Sequence, residues 1–70
     1  MNWDSIEGQW SKFSGLVKEK WGELTDDDLA VINGKKDQLI GTLQVRYGIA
    51  KEEAEKRAKE FEQTFDNNSK

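Results

Sequence analysis

Asp26, Asp27 and Asp28 form the one dense carboxylate cluster of the chain, and three adjacent acids invite comparison with a cation site or a paired acid and base. Consecutive residues of a helix point about a third of a turn apart, so these carboxylates diverge where an EF-hand loop or a catalytic pair needs them to converge. Capping explains them better. Thr25 with Asp28 three residues on resembles a capping box with Asp in place of Glu or Gln. Three acids in a first turn also suit the positive end of a helix dipole. Thr25 and Asp28 are therefore read as a helix cap. The chain has no His and no Cys, which removes the commonest general base and zinc ligand, the thiolate metal site and the disulfide. Its six glycines recur at steps of seven and lack the following Lys-Ser/Thr of a phosphate loop. The expectation is no catalytic residue, no cofactor and no metal, and a protein that is not an enzyme.

Lys18, Lys20, Lys35, Lys36 and Arg46 are the side chains that could gather on phosphates. Charged residues make up 36 % of the chain, yet 11 Lys and Arg stand against 14 Asp and Glu, for a net charge of -3. That balance leaves no basic footprint for a polyanion, so the lysines are read as a solvated face and specific nucleic-acid binding is not expected. A mean hydropathy of -0.94, short apolar runs and an N-terminus without a charged-then-apolar pattern predict a cytoplasmic protein with no transmembrane segment. A monomer is expected, with room for an unidentified protein partner. At 70 residues the core is small and must be well packed.

The elements follow from periodicity. Trp3, Ile6, Trp10, Phe13, Val17 and Trp21 recur at three- and four-residue steps and predict one amphipathic helix from about Trp3 to Trp21, capped by Asn2 or Asp4. It carries all three tryptophans. They read as core, because aromatic side chains bury the most area each and a short chain needs that contribution; the alternative is an exposed docking strip. The stretch from Trp21 to Leu29, with Leu24 inside it, is a hinge in which Gly22 is placed to end the first helix in the left-handed conformation. A short helix from Asp26 to Ile32 turns Leu29 and Ile32 inward and stops at Asn33-Gly34, with Gly34 taken as a break. The next, from Lys35 to Tyr47, has Leu39, Ile40, Leu43 and Tyr47 on its apolar face and stops at Gly48. The last, from about Ala50 to Phe65, turns Ala54, Ala58, Phe61 and Phe65 to one side and sets Glu52 before Lys56 and Glu55 before Lys59. The pattern predicts an all-α bundle of four or five short helices over residues 1–65, followed by a frayed polar tail over 66–70. Its core list is Trp3, Ile6, Trp10, Phe13, Val17, Trp21, Leu24, Leu29, Ile32, Leu39, Leu43, Tyr47 and Phe61.

Gly8, Gly15 and Gly22 are seven apart, as are Gly34, Gly41 and Gly48. At the constant offset between the two sets Ile6 falls on Ile32, Phe13 on Leu39, Val17 on Leu43 and Trp21 on Tyr47, the pattern of a degenerate duplication. Trp10 falling on Lys36 speaks against it. Steps of seven keep each glycine set on one face, nearly opposite the apolar stripe, so Gly8, Gly15 and Gly41 are predicted to lie at the surface.

The run Gly8-x-Trp10-x-x-Phe13-x-Gly15-x-Val17-Lys18-x-x-Trp21-Gly22-x-Leu24-Thr25-Asp26-Asp27-Asp28, then Ile32-x-Gly34-Lys35-x-Asp37-Gln38-Leu39-x-Gly41 and Tyr47-Gly48, resembles the CsbD-like general stress protein family, especially its YjbJ type. The resemblance spans nearly the whole chain and rests mainly on composition beyond Lys51. It implies a small bacterial protein of the general stress response, folded as two roughly orthogonal helical hairpins in the SAM-domain-like manner, with no catalytic residue. The function expected is a non-catalytic structural or interaction module. The alternatives are a nucleic-acid-binding helical domain, by fold analogy alone, and a hydrophilic protectant of proteins or membranes under stress.

Overall fold

The capping signals place the helices. In a computed structural model, which describes residues 2–68 and the side chains through Phe65, the Asn2 side chain accepts from the Ser5 amide at 2.9 Å and starts α1, Trp3–Gly8. A single irregular residue, Gln9, separates it from α2, Trp10–Lys20. The capping box at Thr25 is closed in both directions, the Asp28 amide donating to the Thr25 hydroxyl at 3.1 Å and the Thr25 amide donating to the Asp28 carboxylate at 3.0 Å, and it starts α3, Asp26–Ile32. Asn33 (φ 47°) and Gly34 (φ 79°) then turn the chain in the left-handed region, with the Lys35 amide bonded to the Ile32 carbonyl at 2.8 Å. Helix α4, Lys36–Tyr47, stops at Gly48 (φ 62°), and α5 runs over Lys51–Asn68. Among the described residues there are five helices and no strand.

Helix α4 is central, packing against α3 on one side and α5 on the other. The core gathers Ile6, Phe13, Val17, Trp21, Leu24, Leu29, Ile32, Leu39, Leu43 and Phe61 with Ile40, Ala54 and Ala58, and among the described residues no polar side chain is buried with them. The alanines of α5 admit α4 closely, and Phe61 then meets Trp3, Phe13, Trp21 and Phe65 with ring centroids 5.0 to 6.4 Å apart, the tilted and edge-on geometry that aromatic quadrupoles favour. A radius of gyration of 11.2 Å matches the roughly 11 Å of a compact chain of this length.

Five expectations change. The first helix is two helices: Gln9 (φ -120°, ψ 36°) follows Gly8, whose backbone freedom weakens the helix there. The apolar stripe gave no sign of the break because one irregular residue leaves its phase intact. Gly22 has no positive φ; α2 ends before Trp21 (φ -121°), because burying the Trp21 and Leu24 side chains turns the chain inward. Trp3, Trp10 and Tyr47 are half-buried at the edge of the core rather than inside it. Residues 66–68 continue α5; the remainder of the expected frayed tail, Ser69 and Lys70, lies outside the described residues. The ion pair formed on α5 among the described residues is Arg57 with Glu53 at 3.0 Å, at the four-residue step expected for Glu52–Lys56 and Glu55–Lys59 but on the neighbouring register. Gly34 is the break that was expected. Trp10 and Lys36, the mismatched pair of the repeat, are each the first residue of their helix.

Candidate functional site

Two polar regions hold the side chains that could do chemistry. The first is the turn between α3 and α4. Gly34 is buried there against α1: a β-carbon at this position would fall 2.5 Å from the Glu7 Cα, so only glycine admits this approach. One residue on, Lys35 reaches back across the contact to Glu7 at 2.8 Å. The bond from Glu7, and then its charge, raise the Lys35 pKa above the ordinary 10.5. An open concavity of about 370 Å³ lies beside this pair, lined by Trp3, Asp4, Lys36, Asp37 and Gln38 as well. The Trp3 Nε1 is enclosed and has no hydrogen-bond partner among the described residues. Since that nitrogen has essentially no accessible surface, a molecule seated in the concavity does not touch it.

The second region is the hinge. The Asp28 carboxylate closes the capping box and also takes two bonds from Arg46 in the last turn of α4, Nε at 2.8 Å and Nη2 at 2.9 Å. This paired fork is the strong form of an Arg–carboxylate contact. The Arg46 bond, followed by the Thr25 amide, holds the Asp28 pKa at about 2, below its usual 3.8, and Asp28 in turn raises that of Arg46. Lys18 pairs with Asp26 at 2.7 Å, and the Tyr47 hydroxyl accepts the Glu23 amide at 3.3 Å. One carboxylate thus ties the start of α3 to the end of α4, with Tyr47 holding the loop that precedes them.

These shifts keep charged groups charged. An acid useful for proton transfer near neutrality has its pKa raised, and a lysine used as a nucleophile or base has its pKa lowered; Asp28 and Lys35 move the opposite ways. Asp26, Asp27 and Asp28 do not converge, and among the described residues no group of three or more acidic side chains is placed to hold a metal. The basic residues are scattered: Lys18, Lys35 and Arg46 each face a different acid. The tryptophans share a side but not an environment. Trp21 is buried against Phe61, Trp3 lies near the same ring, and the Trp10 indole donates to the Leu29 carbonyl at 3.0 Å, fastening α2 to α3. Sequence reasoning missed the Lys35–Glu7 and Arg46–Asp28 contacts. Both join residues far apart in the chain, and only the capping role of Asp28 had a local signature.

The fold and its polar contacts define a small all-helical protein in which ion pairs such as Arg46–Asp28 and Lys35–Glu7 fasten one helix or turn to another. The CsbD-like family profile matches residues 4–56, most of the chain, and the protein belongs to that family. A UPF0337 protein of Pectobacterium atrosepticum is 58 % identical over 62 residues, covering 89 % of this chain and 90 % of its own. Another, from Protochlamydia amoebophila, is 56 % identical over 62 residues, covering 89 % and 94 %. The UPF0337 protein YjbJ of Escherichia coli K12 is 53 % identical over 62 residues, covering 89 % and 90 %. No described helix is long and apolar enough to cross a membrane.

Proposed function

We propose that this protein is a non-catalytic interaction module of the bacterial general stress response, cytoplasmic and monomeric when dilute. The observation that carries the reading is the geometry of its polar contacts: Asp28 closes the capping box and takes the Arg46 fork at 2.8 and 2.9 Å, and Lys35 meets Glu7 at 2.8 Å, so these ionisable groups are spent on fastening helices. Membership of the CsbD-like family supports the stress setting. The architecture belongs to the same proposal: the helices pack as the two roughly orthogonal hairpins of a SAM-domain-like fold, a reading supported by the close packing of α3 on α4. With Lys18, Lys35 and Arg46 facing acids and a net charge of -3, the chain offers no basic face for nucleic-acid binding to draw on.

The test is crosslinking in stressed and unstressed cells followed by purification of the tagged protein. The reading expects one protein partner recovered reproducibly under stress and lost with a surface variant that keeps the fold. Recovery of nucleic acid alone, or a turnover activity in the purified protein, would contradict it.

A further inference from the structure

Asn33 and Gly34 are the one Asn-Gly pair of the chain. An asparagine before glycine can react with its own backbone, because glycine has no side chain to hinder attack by its nitrogen. The reaction needs only water. The Gly34 nitrogen bonds to the Asn33 Cγ, the Cγ–Nδ2 bond breaks, and Nδ2 leaves as ammonia with the proton that the Gly34 nitrogen gives up, closing a cyclic imide. Water then opens the ring. Added at Cγ, it restores the ordinary backbone with aspartate at position 33. Added at the backbone carbonyl carbon, it leaves the chain running through Cγ as isoaspartate, one methylene longer. Asn33 is exposed, and the Gly34 amide has no backbone acceptor among the described residues, although the amides on either side of it are bonded.

The fold withholds the orientation. Asn33 sits at φ 47° and ψ 36°, and at that ψ the Gly34 nitrogen stands nearly anti to the Asn33 Cβ, whereas the imide ring needs the two nearly eclipsed. The peptide between residues 33 and 34 must turn almost over before it can react. Packing prevents this. Gly34 is buried against the Glu7 backbone, where a β-carbon would fall 2.5 Å from the Glu7 Cα, and the Lys35–Glu7 pair at 2.8 Å closes the contact. Helix α1 is the removable part: six residues long and cut from α2 at Gln9, it is too short to persist alone, and it is held by Ile6 in the core and by Trp3 near Phe61.

We propose that Asn33 is a modification site gated by α1. With α1 docked the side chain is protected, and its release, an opening smaller than global unfolding, lets the Gly34 nitrogen reach Cγ and convert Asn33 to aspartate and isoaspartate. The longer isoaspartyl backbone no longer fits the approach of Gly34 to Glu7. Either product also sets a new negative charge at the C-terminal end of α3, where the helix dipole disfavours it. The conversion therefore runs one way, and each converted chain records that its α3–α4 turn has been open. The inference is independent of the role proposed above.

Peptide mapping by mass spectrometry reads the conversion at Asn33 in the full chain, held at one pH and temperature across a urea series with circular dichroism measured in parallel. Without urea the conversion should be about tenfold or more slower than in the unfolded chain, and it should accelerate at urea concentrations where the circular dichroism is still native. Trp3→Ala, which removes the contact of α1 with Phe61, should speed the conversion without urea. In the purified isoaspartyl form the Ile6 amide, bonded in the native fold to the Asn2 carbonyl at 3.1 Å, should exchange freely with solvent deuterium while the amides of α4 stay protected. A native rate equal to the unfolded one, an acceleration that appears only with the circular dichroism transition, a Trp3→Ala rate no faster than wild type, or an isoaspartyl form with Ile6 still protected would each overturn the inference.

Discussion

Replacing Gly34 by alanine tests the close approach of α1 to the α3–α4 turn. The added β-carbon would sit 2.5 Å from the Glu7 Cα and 3.0 Å from its Cβ, and the first of these is backbone that cannot swing aside. Forcing separation costs about 1–3 kcal/mol on the scale of overpacked cores. The positive φ of 79° adds about 1 kcal/mol, the penalty of alanine in a conformation glycine adopts freely. The sum is about 2–4 kcal/mol, against a total stability of about 4–10 kcal/mol for a chain of this size. At about 4–8 °C per kcal/mol the thermal midpoint should fall by roughly 8–32 °C. Thermal and denaturant melts followed by circular dichroism measure it, with Gly15→Ala as the control. Gly15 is helical, without a positive φ and with open space at its β-carbon, so alanine there should be neutral or stabilise by up to about 1 kcal/mol. A loss below about 1 kcal/mol at Gly34 would refute the close approach of α1 to the α3–α4 turn.

Thr25→Ala removes the hydroxyl that accepts the Asp28 amide and should cost about 1 kcal/mol, seen as a drop of several degrees in the melting midpoint. Acid should act through Asp28. Its folded pKa of about 2 lies below the ordinary 3.8, so its contribution is complete above 3.8 and is lost as the pH falls toward 2. The wild-type midpoint should therefore drop more over that interval than the midpoint of Asp28→Asn, and equal drops would remove the linkage. Fluorescence titration with duplex DNA at moderate salt should give contacts no tighter than about 10⁻⁴ M, the non-specific level; a submicromolar, sequence-selective complex would make Lys18, Lys35, Lys36 and Arg46 a binding site.

Much of the fold was legible because its signals are local. The capping box spans three residues, Asn33-Gly34 and Gly48 are helix stops on conformational grounds alone, and the stripe from Ile6 through Val17 repeats at helical spacing. The hidden features depend on which helix meets which. Gln9 breaks the first helix without disturbing the stripe. Trp21, not Gly22, ends α2 because tertiary burial outweighs glycine's freedom. Gly34 was readable as a turn residue, but its contact with Glu7 follows only from the approach of α1. The polar site was less legible still: Asp28 announced a cap, and nothing near it in the chain pointed to Arg46.

The claim that this surface binds rather than catalyses is tested most directly by complementation. A strain lacking the protein would receive variants with alanine, one at a time, at Asp4, Asp27, Lys36, Asp37 and Glu60, and survival under stress would be scored beside the amount of folded protein. The account predicts survival that follows that amount, with no single polar residue indispensable. One such variant, folded and at wild-type abundance yet without any protection, would contradict it and would mark a reacting group.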